Sequence, residues 1–326
     1  MNSRRRFLTT ASLAATGLAL APLAACSRDT VASAGTAATP AAPAGPAPTP
    51  AAGALLTRTI PATGEALPVI GAGTSGSYEV ALGSPEFEAL KETMKVFFEG
   101  GGRVFDTSPN YGNADEVLGA LLADGGWRDQ CFLATKIAAD DRASMEAQWA
   151  ESQRKLQTEK VELLLVHNLR ALDIAWPYAQ ELKAQGLAKY IGFTHYIESG
   201  HDATTRAVRE LKPDFVQINY SVNAPQAART VLPAAQDAGA AVLINRAFDD
   251  GRLFAEVGNR ELPGWAAELG ITSWAQLFLK FAISHPAVTA VIPATSRPDR
   301  QADQLQAGTG PLLSDAQQTE LVRLFA

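Results

Sequence analysis

Cysteine is scarce in this chain of 326 residues: only Cys26 and Cys131 occur, so no framework of several disulfides can exist. Long apolar runs are missing too. The longest near the N-terminus is short, built of Ala, Leu, Thr and Gly, and too weakly hydrophobic to favour a membrane span. Positive charge is in the minority, with 28 Lys and Arg against 34 Asp and Glu. Arg4, Arg5 and Arg6 are the only charged residues in positions 1–25, so removing that segment takes the formal net charge from −6 down by three, to −9. An acidic body argues against nucleic acid as a partner.

What the N-terminus does have is an order of parts. MNSRRRFLTTASLAATGLALAPLAAC places an arginine cluster before a modestly apolar run and small residues, the layout of an export signal. Arg4-Arg5-Arg6-Phe7-Leu8 is similar to a twin-arginine signal, and Leu23-Ala24-Ala25-Cys26 to a lipobox in which Cys26 is lipidated. A plain cleaved signal and a membrane anchor are the alternatives. Under the lipidated reading Cys131 is left alone, and the protein is exported to the periplasm or cell envelope, touching membrane only through its signal or lipid. Residues 27–53 are mostly Ala, Pro, Thr and Gly and cannot bury enough apolar surface to offset chain entropy, so they read as a tether. Residues 54–326 suit one large domain.

From residue 68 onward a unit repeats: a short apolar run ending in a polar residue, then a stretch with helical spacing. The runs are PVIGAGT (68–74), RVFDT (103–107), CFLATK (131–136), VELLLVH (161–167), YIGFT (190–194), FVQIN (215–219), AVLIN (241–245) and AVTAVIPAT (287–295). Phe87, Leu90, Met94 and Phe97 recur at helical spacing after Ser84-Pro85 and before Gly100. Asn113 with Glu116 suggests a capping box. Eight apolar strands alternating with amphipathic helices imply an α/β fold, a (β/α)8 TIM barrel. RTIPATGEALPVI (58–70) reads as a β-hairpin plug, and SDAQQTELVRLFA as a capped C-terminal helix. A competing signal is Gly71-Ala72-Gly73-Thr74-Ser75-Gly76, which fits GxGxxG and a doubly wound dinucleotide fold. Nine residues separate it from a credible helix, which weakens that alternative.

In a barrel, the C-terminal strand ends converge on one face. They carry Asp106 and Tyr111, Lys136, His167, Thr194 and His195, Gln217 and Asn219, Asn245 and Arg246, and Thr295, Ser296 and Arg297. Singly each has a bland reading as a cap, a loop aromatic or a solvated strand end. Together Asp106, Tyr111, Lys136 and His167 form a set suited to carbonyl reduction. A phenol needs a neighbouring lysine to become a useful acid, an aspartate holds the lysine charged, and a histidine orients the carbonyl. No metal is expected.

FDTSPNYG, LATK, LLLVH, FVQINYS and VIPATSRPDR, in this order, resemble the aldo-keto reductase family over roughly residues 55–326. The resemblance implies a (β/α)8 barrel using NADPH, with NADH possible, and a catalytic tetrad of Asp106, Tyr111, Lys136 and His167. It implies that Gln217 contacts the nicotinamide carboxamide, that Tyr220 stacks on the ring, and that Thr295, Ser296, Arg297, Arg300 and Gln304 follow the adenosine phosphates. Thr194-His195 stands where the family usually has Ser-Asn, and Arg246 where a smaller residue is common. Arg300 suits the 2′-phosphate. The loops 78–84, 169–178 and 248–265 are expected to wall the pocket, with Tyr78, Trp176 and Phe248 as apolar contacts for an aldehyde or ketone. The competing function, from another class, is a nucleotide-binding barrel acting as sensor or subunit with little turnover.

Overall fold

The computed structural model describes residues 53–325. The expected export signal of residues 1–26, Cys26 within it, and the expected tether up to residue 52 lie outside the described residues. Among the described residues no helix is long and apolar enough to cross a membrane.

Among the described residues, ten strands and ten α-helices follow in order. The strands are β1 (Thr57–Thr59), β2 (Ala66–Pro68), β3 (Ala72–Gly73), β4 (Val104–Asp106), β5 (Phe132–Ile137), β6 (Val161–Val166), β7 (Ala188–Thr194), β8 (Phe215–Asn219), β9 (Ala241–Asn245) and β10 (Ala290–Val291). The helices are α1 (Pro85–Glu99), α2 (Ala114–Asp124), α3 (Arg142–Lys155), α4 (Leu172–Ala184), α5 (His201–Leu211), α6 (Val231–Ala238), α7 (Arg252–Val257), α8 (Trp274–Ser284), α9 (Pro298–Gln306) and α10 (Asp315–Leu324). Strands β3 to β10 pair in parallel, each with its neighbour in sequence. The ring closes where the first parallel strand meets the last. Gly71 N donates to Val291 O at 2.8 Å, Val291 N to Val69 O at 2.9 Å, and Gly73 N to Pro293 O at 2.8 Å.

That seam decides the meaning of the glycine-rich run. A Cβ on Gly71 would sit 3.0 Å from Val104 Cβ and its carbonyl oxygen, and one on Gly73 would sit 3.0 Å from Ile292 O. These glycines let two strands approach, and helix α1 begins only at Pro85. The doubly wound alternative is therefore overturned, and with it the phosphate-cradling reading of this run.

The apolar residues divide between two places. One cluster fills the barrel interior with Val104, Phe132, Leu163, Leu165, Phe215 and Leu243, and includes Ile60 and Leu67 from the β1–β2 hairpin. The hairpin is thus a plug, as the sequence suggests. It is fixed by Glu65 to Lys189 (2.7 Å) and Tyr190 (2.9 Å), near the start of β7. Arg58 adds three hydrogen bonds to the carbonyls of Ile283, His285 and Pro286 at the end of α8. The second cluster lies between strands and helices. In α1, Phe87, Leu90, Met94 and Phe97 are all buried, each worth roughly 1.5–3 kcal/mol. Ser84 caps that helix through the N–H of Phe87, and Ser314 opens α10 with a full capping box.

The start of α2 differs from expectation. Asn113 precedes the helix, but its side chain makes no cap bond. The amide instead donates to Val80 O at 2.6 Å, tying the loop after β3 to the loop after β4. Aiming the amide N–H at Val80 O fixes the side chain's orientation, and its oxygen accepts no bond from the first turn of the helix.

Candidate active site

The register of the parallel strands sets the site. Gly73 pairs with Asp106, and Asp106 with Ala134, so that Lys136 lies one layer further along β5. Asp106 and Lys136 are 3% and 1% exposed, which means that a full ion pair sits inside the mouth of the barrel. Lys136 Nζ donates to Asp106 Oδ2 at 2.6 Å and to Thr107 O at 2.7 Å, and lies 5.0 Å from the centre of the Tyr111 ring. Burying an ammonium is costly without such partners. Here burial acts to lower the Lys136 pKa, but Asp106 and Tyr111 outweigh it and hold the group above its ordinary value. Lys136 is a fixed cation.

Tyr111 packs edge-on to His167, with ring centres 5.9 Å apart. Burial is the main influence on the phenol and pushes its pKa up, with the Lys136 charge the first to oppose it. The lysine therefore acts in the expected direction, yet in the free protein it only offsets part of the desolvation. His167 is driven down to about 3, first by burial and then by the charges of Lys136 and Arg170, so its imidazole is neutral. Its Nδ1 lies 3.2 Å from Ser108 Oγ.

A polar chain continues from Asp106. Gln217 Nε2 donates to Asp106 Oδ1 at 2.8 Å, while Gln217 Oε1 accepts from Thr194 Oγ1 at 3.0 Å and Asn245 Nδ2 at 3.4 Å. Asn245 Nδ2 also donates to His195 O at 3.0 Å, which leaves Asn245 Oδ1 buried without a partner. His195 turns back on its own chain. Its Nδ1 accepts from Tyr196 N at 3.0 Å, its ring stacks on Tyr196, and Gly200 makes room for it, since a Cβ there would be 2.2 Å from the imidazole. Burial lowers its pKa.

Above these groups lies a cavity of about 790 Å³, lined by Tyr111, His167, Thr194, Gln217, Asn245, Arg246 and Arg300 among others. A second, of about 530 Å³, is lined by Thr295, Arg300 and Gln304, and shares Phe248, Phe254, Ala294 and Arg300 with the first. The two make one trough from the Tyr111–His167 pair to α9. Arg246 at its edge is ion-paired to Asp250 at 2.7 Å, and its guanidinium lies 5.5 Å from the Tyr196 ring centre.

Not every residue proposed from sequence reaches this trough. Tyr220 is buried with its ring stacked on Phe281. Ser296 is exposed, with its carbonyl accepting from Thr93, and Arg297 is exposed and paired to Asp299 at 2.6 Å. Of the substrate contacts, Phe248 lines both cavities. Tyr78 packs edge-on to Phe105, and Trp176 edge-on to Phe193, both within the core. Sequence reasoning missed Ser75, Asn168, Tyr196 and Phe254. Phe254 stands inside the wall segment 248–265, and Asn168 and Tyr196 adjoin His167 and His195, so adjacency was their only signal.

The (β/α)8 barrel thus holds a buried Asp–Lys pair, a tyrosine and a neutral histidine at its strand ends. The sequence model of the aldo/keto reductase family matches residues 69–324, and the chain belongs to that family. Among similar proteins is the D-threo-aldose 1-dehydrogenase of a Pseudomonas species, 28% identical over 59% of this chain and 69% of its own. Aldo-keto reductase YhdN of Bacillus subtilis is 29% identical over 52% of this chain, a match spanning about half (54%) of that protein. A Klebsiella pneumoniae aldo-keto reductase solved in complex with NADPH has the same fold. Its TM-score is 0.69 at 24% identity, covering 83% of this chain and 96% of the other.

Proposed function

We propose that the protein reduces an aldehyde or ketone to the alcohol, with NADPH as the bound reductant. The observation that carries this reading is Lys136, a cation enclosed between Asp106 and Tyr111 where a barrel exposes its chemistry. The residues present fit such a cofactor. The trough is elongated, Asn245 Oδ1 and Gln304 Oε1 are buried in its lining without partners, and Arg300 lies between its two parts. Klebsiella proteins of the same fold, solved with NADP and with NADPH, support the choice of nucleotide. The cofactor supplies hydride to the carbonyl carbon.

The chain's own residues do the rest. His167, neutral at physiological pH, orients the carbonyl oxygen by a hydrogen bond. Tyr111 delivers the proton to that oxygen as negative charge develops on it, and Lys136 stabilises the phenolate left behind. Asp106 and Gln217 keep Lys136 charged and aimed. Phe248, Phe254 and Tyr196 offer an apolar wall for the substrate. Purified protein mixed with NADPH and a panel of aldehydes and ketones is expected to consume the reduced nucleotide, and Tyr111→Phe to slow this by ~10²–10⁴-fold. Nucleotide binding without turnover of any carbonyl would instead favour the sensor reading.

The arginine cluster and Leu23-Ala24-Ala25-Cys26 support export of the folded barrel and its retention at the envelope by lipid on Cys26. Replacing Arg5 and Arg6 by lysine is expected to hold the protein in the cytoplasm, and Cys26→Ala to release it from membranes. Fractionation of cells reads both.

A further inference from the structure

We infer that Ser108 is a positioning residue that fixes the tautomer of His167, keeping the ring proton on Nε2, where a carbonyl oxygen can use it. Ser108 is fully enclosed, at 0% exposure, two residues beyond Asp106. Its Oγ has two neighbours: the backbone N–H of Asn110 at 3.3 Å and His167 Nδ1 at 3.2 Å. The Asn110 N–H can only donate, so it takes a lone pair of Oγ. The hydroxyl proton then has one acceptor, His167 Nδ1, which must be bare to receive it.

The opposite tautomer fails twice. With the proton on Nδ1, Oγ would accept from both neighbours and its own proton would be buried with no acceptor, a cost the enclosed site cannot pass to water. Nε2 would then present a lone pair to the carbonyl oxygen, acceptor against acceptor. Nε2 has no partner among the described residues, and His167 lines the main cavity, so that nitrogen is the one left for a ligand. The ring's setting is held from the far side as well. The turn after β6 carries Asn168, Leu169 and Ala171 at positive φ, and Arg170 pins it by donating to Ala138 O at 2.7 Å. Such strain persists only where surrounding bonds enforce it. The neutral state of His167 is what makes its tautomer matter, because a charged ring would carry both protons.

The test is nitrogen-15 NMR of the histidine rings in the whole protein, with His167 assigned through a His167→Gln control. Wild type is expected to show a bare Nδ1 and a protonated Nε2 throughout the neutral range. A protonated Nδ1 would overturn the inference, with no variant needed. Ser108→Ala is expected to give a mixture of tautomers and to lower kcat at least ~10-fold with KM for NADPH unchanged, as loss of a tautomer-setting partner does elsewhere. Ser108→Thr, which retains the hydroxyl, should restore both. A Ser108→Ala protein that keeps the pure Nε2 tautomer would also overturn the inference. The kinetic arm alone rests on the carbonyl-reductase reading: a wild type inactive on every carbonyl would sink that reading and leave the ring measurement intact.

Discussion

Lys136 is the residue whose loss should be most selective. Its ammonium donates to Asp106 and Thr107 O and lies over the Tyr111 ring, and Lys136→Met keeps much of its volume while removing the charge. We expect turnover to fall by at least ~10²-fold with NADPH affinity within a few-fold of wild type, read by kcat and by fluorescence titration. Arg300→Ala should weaken NADPH far more than NADH, since only the former carries a 2′-phosphate for its planar fork. Equal losses would make Arg300 a structural residue. Asp106, Lys136 and His167 were placed at strand ends from the sequence because each closes an apolar run, and strand register turns that position into a place; Tyr111, in the loop five residues beyond Asp106, was placed through Asp106. Where Tyr220 and His195 go was not legible. Their orientation depends on Phe281 and Gly200, which lie far along the chain or around a turn, and no local pattern records such packing.

Elements were read well where one period dominates. The spacing in α1, the apolar strands and the hairpin plug all follow from burial of one face, and each is present. Asn113 shows the limit, because a cap motif cannot reveal that the side chain is turned to donate to Val80 O in another loop. Loop geometry was equally hidden. The turns after β6 and β9 hold six residues at positive φ without being glycine: Asn168, Leu169, Ala171, Arg246, Asp249 and Asp250. Both border the cavity, where strain of this kind tends to gather. For the plug, the decisive bonds come from one residue. Arg58→Ala removes three charge-assisted bonds to the end of α8 and should destabilise the protein by ~1.5–3 kcal/mol in chemical denaturation, with kcat unchanged because the plug and the site sit at opposite ends. An unchanged midpoint would show that water replaces the guanidinium without loss.

At the scale of the whole molecule, acid should be the more damaging extreme. His167 is depressed from the ordinary 6.5 to about 3, and burial also lowers His195 and His285. The unfolded chain therefore binds more protons than the folded one in this range. Stability is intact above about 6.5 and drains away as pH falls from there toward about 3. The His167 share is on the order of several kcal/mol, and His167→Gln should flatten the acid limb of a melting-temperature profile. The closing seam has a consequence in time. Val69, Gly71 and Gly73 wait for Val291 and Pro293, so the barrel's first edge stays unpaired until the strand more than two hundred residues later is made. An open sheet edge is a template for other chains, and pairings so distant in sequence form slowly. A ribosome-bound chain is thus exposed to aggregation until its last barrel strand is made. Truncation before Ala287 should yield an aggregating product rather than a smaller soluble barrel.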